Sequence, residues 1–166
     1  MIYYLCLGAN LEKPEDQLRE AKHVITEIPG VMLLRESSVI KCAAYGKKDQ
    51  PDFYNQVLEI ESNLFPQLQL HILLEIEKAM GRTRREKWGP RLIDIDILLA
   101  GNLVIDTRKQ GGMPGMPELT LPHPDLHNRA FALQLLAELI PDFIHPTMHK
   151  SISELYYTLT NKGGKP

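Results

Sequence analysis

Three observations predict an α+β chain built around one sheet. Four stretches read as strands, and in the last of them Ile93, Ile95, Ile97 and Leu99 alternate with Asp94 and Asp96 at period-two spacing. Two intervening segments repeat apolar residues at helical spacing. Their order is strand, helix, strand, strand, helix, strand, the split βαβ arrangement of ferredoxin-like folds. That order predicts helices packed on one face of the sheet, with the other face uncovered.

Each element follows from its own residues. Ile2–Leu7 is a short apolar strand, ended by a turn at Gly8-Ala9-Asn10-Leu11. Pro14 suits the first turn of a helix, where its missing N–H costs nothing. Leu18, Ala21, Ile25 and Ile28 give that helix its buried stripe, and Pro29-Gly30 ends it. Val31–Ile40 and Phe53–Ile60 read as strands, the second with Phe53, Asn55, Val57 and Glu59 on one side. Lys41–Asp52 between them is polar and too long for a tight hairpin. Pro66 opens a second helix, with Leu68, Ile72, Leu73, Ile76 and Met80 inward and Gly81 as its stop. Leu92–Ala100 is the fourth strand. Beyond it, Gly111–Pro117 reads as a flexible surface insertion and Ala130–Ile140 as an apolar helix. Ser151-Ile152-Ser153-Glu154 has capping-box spacing ahead of a last short helix.

At 166 residues and 43% hydrophobic, the chain suits one domain over 1–166, with a core to about residue 160 and a short tail. A net charge of −2 gives no global attraction to nucleic acid or to an anionic membrane. Cys6 and Cys42 have neither zinc nor redox spacing, which fits a reducing cytoplasm. No run reaches transmembrane length and no signal peptide is evident. A soluble, cytoplasmic monomer is expected.

Charge is concentrated at one place. Arg82, Arg84, Arg85, Lys87 and Arg91 against Glu86 give the 81–91 loop +4, so the rest of the chain carries −6. The loop feeds into a strand in which Ile93, Ile95, Ile97 and Leu99 alternate with Asp94 and Asp96. Both carboxylates then leave the same face, roughly 7 Å apart at a rise of about 3.3 Å per residue. Burying them unpaired would cost several kcal/mol each, on the order expected for ions out of water. Two hard carboxylates with no interleaved Cys or His favour Mg²⁺, which keeps waters and shares phosphate oxygens. The structural alternative is an ion network between these aspartates and the loop arginines.

This basic-loop and Asp-dyad run resembles that of the 6-hydroxymethyl-7,8-dihydropterin pyrophosphokinase family of folate biosynthesis. Three further segments resemble it in order: Leu7-Gly8-Ala9-Asn10-Leu11, Asp49-Gln50-Pro51-Asp52-Phe53-Tyr54-Asn55, and Leu121-Pro122-His123-Pro124 with Asn128-Arg129-Ala130-Phe131. The resemblance implies a ferredoxin-like core extended by extra strands and C-terminal helices. It implies ATP as co-substrate, two Mg²⁺ ions, and a pterin alcohol that receives the β,γ-diphosphate. By position, Asp94 and Asp96 would hold the metals, and Arg82 and Arg91 would contact phosphate during chemistry. Arg84, Lys87, Trp88, His123 and Arg129 would bind nucleotide. Phe53 and Phe131 would sandwich the pterin, Asn55 would read its edge, and Cys42, Ala43, Ala44, Tyr45 and Trp88 would complete its pocket. Trp88 would belong to a loop that closes over the site. The chain departs from the family in lacking Thr-Pro-Pro after Lys41 and in having Pro124 where Tyr is common. Its 106–118 connection is also longer and richer in Gly and Pro. At this length no fused aldolase or synthase domain is expected.

Other readings stay open on the residues alone. A metal-dependent nucleotidyltransferase would carry a similar acidic dyad. An RNA-binding ferredoxin-like module would need stacking aromatics on its sheet, where only Tyr3 and Tyr4 hint at any. His123-x-x-x-His127 and His145-x-x-x-His149 have zinc-like helical spacing, but Pro124 and Pro146 break any helix there. His127, His145 and His149 are expected at the surface or in caps.

Overall fold

The computed structural model describes residues 1–43, 50–81 and 91–161. Its central sheet runs β2-β4-β1-β5, antiparallel at every pairing, with β3 also against β4. The strands are β1 (Ile2–Ala9), β2 (Val31–Glu36), β3 (Ile40–Cys42), β4 (Phe53–Ser62) and β5 (Asp94–Ala100). Helices α1 (Pro14–Thr26) and α2 (Pro66–Ala79) fill the two crossovers, so the βαββαβ order holds. The single strand expected over Val31–Ile40 is instead β2 and β3. Ser37 turns the chain between them: its Oγ accepts the Val57 N–H and its carbonyl accepts the Gln56 amide.

Helices cover both faces of the sheet, not one. On the first face Leu18, Ala21 and Ile25 of α1 and Leu73 and Ile76 of α2 pack on Leu5, Leu7, Leu58, Ile60, Ile95 and Ile97. On the second, α4 (Ala130–Leu139) and α5 (Ile152–Asn161) cover Tyr4, Val57, Leu98 and Leu99. The one-face expectation counted only the two crossover helices; Ala130–Leu139 is so apolar that it too needs a sheet to bury it. It leaves the Asp94–Asp96 end of that face open. Between β5 and α4 lie a small β6 (Ile105–Asp106)/β7 (Thr120–Leu121) pair, the short α3 (Thr107–Gln110) and a 3₁₀ turn at Leu126–Asn128.

The predicted helix signals hold in detail. Pro14 and Pro66 each sit in a first turn. Ser151 and Glu154 form the capping box reciprocally, Ser151 N–H to the carboxylate at 2.7 Å and Glu154 N–H to Ser151 Oγ at 3.1 Å. The 111–117 segment is held to α2 by Gln67, whose amide accepts from Met113 N–H and donates to the Pro117 carbonyl. Two buried polar residues on α2, Gln69 and Glu77, break its expected apolar stripe. No helix among the described residues is long and apolar enough to cross a membrane.

Candidate active site

The sheet register builds the site. Asn55 of β4 and Asp94 of β5 both pair with Gly8 of β1, and Val57 and Asp96 both pair with Cys6. At about 4.8 Å between strands, Asn55 and Asp94 stand roughly 10 Å apart across a glycine. A Cβ on Gly8 would lie 2.9 Å from Asn55 Oδ1, so only glycine leaves this floor clear. Above it opens a cleft of about 620 Å³ including its mouth. It is lined by Cys6, Gly8, Cys42, Ala43, Phe53, Asn55, Arg91, Asp94, Asp96, Arg129 and Phe131.

Each aspartate already has a basic partner. Arg91 pairs with Asp94, and Arg129 Nη1 donates to Asp96 Oδ2 at 2.6 Å, with His123 Nε2 3.8 Å from the same oxygen. Burial alone would raise the Asp96 pKa. His123, Arg129 and Arg91 outweigh burial and hold the carboxyl ionised below the usual aspartate range. Burial pushes His123 below the ordinary histidine value against the pull of Asp96. Cys6, beneath the dyad, is driven far up by burial and by Asp96, so it stays a thiol. The structure thus shows an ion network around the dyad, made by Arg91 and by Arg129, whose forked donors also suit phosphate oxygens.

The donor set fits a hard divalent cation. Asp94 and Asp96 offer oxygens from one face, partly open to solvent at 19% and 31% side-chain exposure. Among the described residues no third carboxylate, histidine or cysteine joins them as a metal cluster. Water and phosphate must then complete six oxygen ligands, the usual state of Mg²⁺.

Two residues outside the expected set position this machinery. Asn10 accepts Arg91 N–H at 2.8 Å, donates its own N–H to the Arg91 carbonyl, and gives its amide to Gln50 and to the Pro51 carbonyl. It ties the end of β1 to both loops that flank the cleft. Glu77, 2% exposed, accepts the Ile95 N–H at 2.6 Å, which fixes the backbone between the two aspartates. The edge position of β5 leaves that N–H without a strand partner. Asn10 was legible only as a turn residue; Glu77 gave no signal, because a carboxylate in a helix ordinarily faces water.

Of the expected site residues, the fold gathers Arg91, Asp94, Asp96, Arg129, Cys42, Ala43, Phe53, Asn55 and Phe131 in the cleft, with His123 at its side. Arg82, Arg84, Lys87, Trp88, Ala44 and Tyr45 lie outside the described residues. His145 is buried, not at the surface, with Nδ1 facing the Thr147 and Met148 N–H groups.

A family model described as 7,8-dihydro-6-hydroxymethylpterin-pyrophosphokinase (HPPK) matches residues 4–141. The chain belongs to the HPPK family. It is 39% identical over 143 residues to the 2-amino-4-hydroxy-6-hydroxymethyldihydropteridine pyrophosphokinase of Haemophilus influenzae, covering 86% of this chain and 84% of that one. The Bacillus subtilis protein of the same name is 36% identical over 138 residues, covering 83% and 77%. Among solved structures, an HPPK-DHPS with bound substrates superposes at a TM-score of 0.69 and 16% identity. That match covers 97% of this chain and 44% of the other, and it shows the shared HPPK fold.

Proposed function

We propose that this HPPK-family chain transfers the β,γ-diphosphate of ATP to the hydroxymethyl group of 6-hydroxymethyl-7,8-dihydropterin, a step in making folate. The observation that carries the reading is the cross-strand row Asn55–Gly8–Asp94. Its two ends lie roughly 10 Å apart, the span of two strand spacings, which supports a neutral wall for the ring and a charged wall for phosphate. The substrate hydroxyl oxygen attacks the β-phosphorus, the bond from that phosphorus to the α–β bridging oxygen breaks, and AMP leaves with that oxygen.

Asp94 and Asp96 would hold two Mg²⁺ ions, which would supply neutralisation of phosphate charge. The protein's own work is positioning. Arg91, with Arg82 from the sequence, steadies the migrating diphosphate; little covalent chemistry is asked of any side chain. Arg84, Lys87, Trp88, His123 and Arg129 bind the nucleotide. Arg129 supports this role because it lines the cleft beside Asp96 and its Nε, 3.6 Å from Asp125 Oδ2, makes no hydrogen bond within the protein. Phe53 and Phe131 enclose the pterin ring, Asn55 reads its edge, Cys42 and Ala43 border it, and Ala44 and Tyr45 are assigned to its pocket from the sequence alone. Trp88, from the sequence, would help exclude water as a competing acceptor. The protein acts as a cytoplasmic monomer, one pyrophosphokinase domain over 1–166, without nucleic acid or membrane.

The deciding experiment incubates the protein with ATP, Mg²⁺ and hydroxymethyldihydropterin and identifies products by mass. AMP with a pterin diphosphate is expected. Inorganic pyrophosphate with a nucleotidylated pterin would instead establish a nucleotidyltransferase.

A further inference from the structure

The Asn55 amide is 4% exposed and has its two ends in different places. Its Nδ2 donates to Cys42 Sγ at 3.0 Å. Its Oδ1 occupies the space directly over Gly8, in the row that leads to Asp94. Cys42 is held in place by strand pairing, opposite Phe53, and both residues line the cleft. An amide has donors at one end and acceptors at the other, and nothing in its own shape decides which end faces a ligand. Here a neighbouring acceptor decides it.

Resting on the proposed function, we infer that the Cys42 side chain is a positioning residue. Its sulfur engages the Asn55 NH₂, so that Oδ1 is presented to the cleft as an acceptor, and this selects a heterocycle edge that bears N–H donors. Cys42 acts through Asn55 and makes no bond in the reaction. A 2-amino-substituted pterin offers such an edge; a ring that presents only acceptors there meets a like-signed oxygen. Sulfur is a weak acceptor, and its contact with Nδ2 leaves the space over Gly8 to Oδ1. Burial, followed by the charge of Asp52, raises the Cys42 pKa above the ordinary thiol value. The side chain therefore stays a neutral thiol at physiological pH and adds no negative charge to those of Asp94 and Asp96 in the cleft.

The test compares the native protein with Cys42→Ala and Cys42→Ser, each checked for an unchanged thermal transition. Kinetics are measured with hydroxymethyldihydropterin and with its analogue in which hydrogen replaces the 2-amino group. Loss of one hydrogen bond that orients the amide should raise the pterin KM of Cys42→Ala about three- to tenfold. Its kcat and its KM for ATP should stay within about twofold, because neither depends on that bond. The preference for the 2-amino compound over the analogue should shrink in Cys42→Ala and return in Cys42→Ser, whose hydroxyl also accepts from the amide. Unchanged pterin KM and preference in Cys42→Ala would overturn the inference. So would a Cys42→Ser protein as impaired as Cys42→Ala, which would mean that sulfur fills space and orients nothing. If the native chain forms no pterin diphosphate at all, the function and the inference fall together; if it turns over normally and Cys42→Ala matches it, only the inference falls.

Discussion

The two walls of the cleft are built on opposite principles. The β5 wall is ionic: Asp94 and Asp96 project from an edge strand, with Arg91 and Arg129 against them. The β3–β4 wall is neutral: Phe53, Asn55 and Cys42 present a ring, an amide and a thiol. Between them β1 contributes only Gly8 and Cys6, residues too small to fill the floor. An ionic wall holds charge in place and gains strength as water leaves. A neutral wall discriminates by shape and by which end of a hydrogen bond it offers. One sheet thus carries both tasks, and the strand register keeps them apart.

The largest effect should come from the ionic wall. Asp96→Ala removes a carboxylate and leaves Arg129 facing a vacant position, so kcat should fall by about 10²–10³-fold or more, the scale of losing a charge stabiliser at the reacting centre. Circular dichroism should show the fold intact, and the pterin dissociation constant should barely move. Strong loss of pterin binding in this variant would show that the walls are not separate.

Arg91→Ala follows. If Arg91 acts as the diphosphate travels, kcat should drop by an amount worth about 2–4 kcal/mol while ATP binding weakens far less. Rapid-quench measurement of AMP formation reads this directly. A normal kcat with a raised KM for ATP would mean ground-state binding only.

The ionic wall was also the easier one to read from the sequence. Asp94 and Asp96 at period two between isoleucines have no comfortable place in a strand, and the basic loop beside them announces their charge partner. The βαββαβ core was legible for the same reason, since Leu18, Ala21 and Ile25, or Leu73 and Ile76, declare a face by spacing alone. The neutral wall gave weaker signals. Phe131 reads on spacing alone as core before anything else, and it does pack against the α4–α5 cluster while lining the cleft. The two helices of the second layer were read, but their place on the other sheet face was not, because they follow the βαββαβ core in sequence and their sheet partners alternate within strands already assigned. Cys6, Gly8, Asn10 and Glu77 were invisible as site residues because their roles depend on register and on which backbone group lacks a partner. Those facts arise only when the strands are paired.

A smaller effect is expected on the neutral wall. Phe131→Ala should raise the pterin KM about two- to tenfold, the range of losing one aromatic contact beyond its buried area. The KM for ATP should change less than twofold. Equal weakening of both substrates would place Phe131 in the general packing of α4 and remove it from ring recognition.

The smallest effect tests whether the walls communicate through α4. That helix starts at Arg129 and Phe131 beside the cleft, and its other end holds the β2–β3 corner: Glu138 accepts from Ser38 N–H and from Ser38 Oγ, each at 2.7 Å. A rigid α4 could therefore carry a disturbance at the corner to Arg129, and so to Asp96. Glu138→Ala removes both hydrogen bonds at an exposed site and should cost about 1 kcal/mol of stability. For a chain of this size that lowers the midpoint of thermal unfolding by about 2–4 °C. If β3 is held mainly by its pairing with β4, Cys42 stays in place and both KM values stay within about twofold of native. A rise confined to the pterin KM would show that the corner sets β3 and the neutral wall alone. A rise in both would show that α4 couples the walls, and the division between them would then be one of chemistry and not of mechanics.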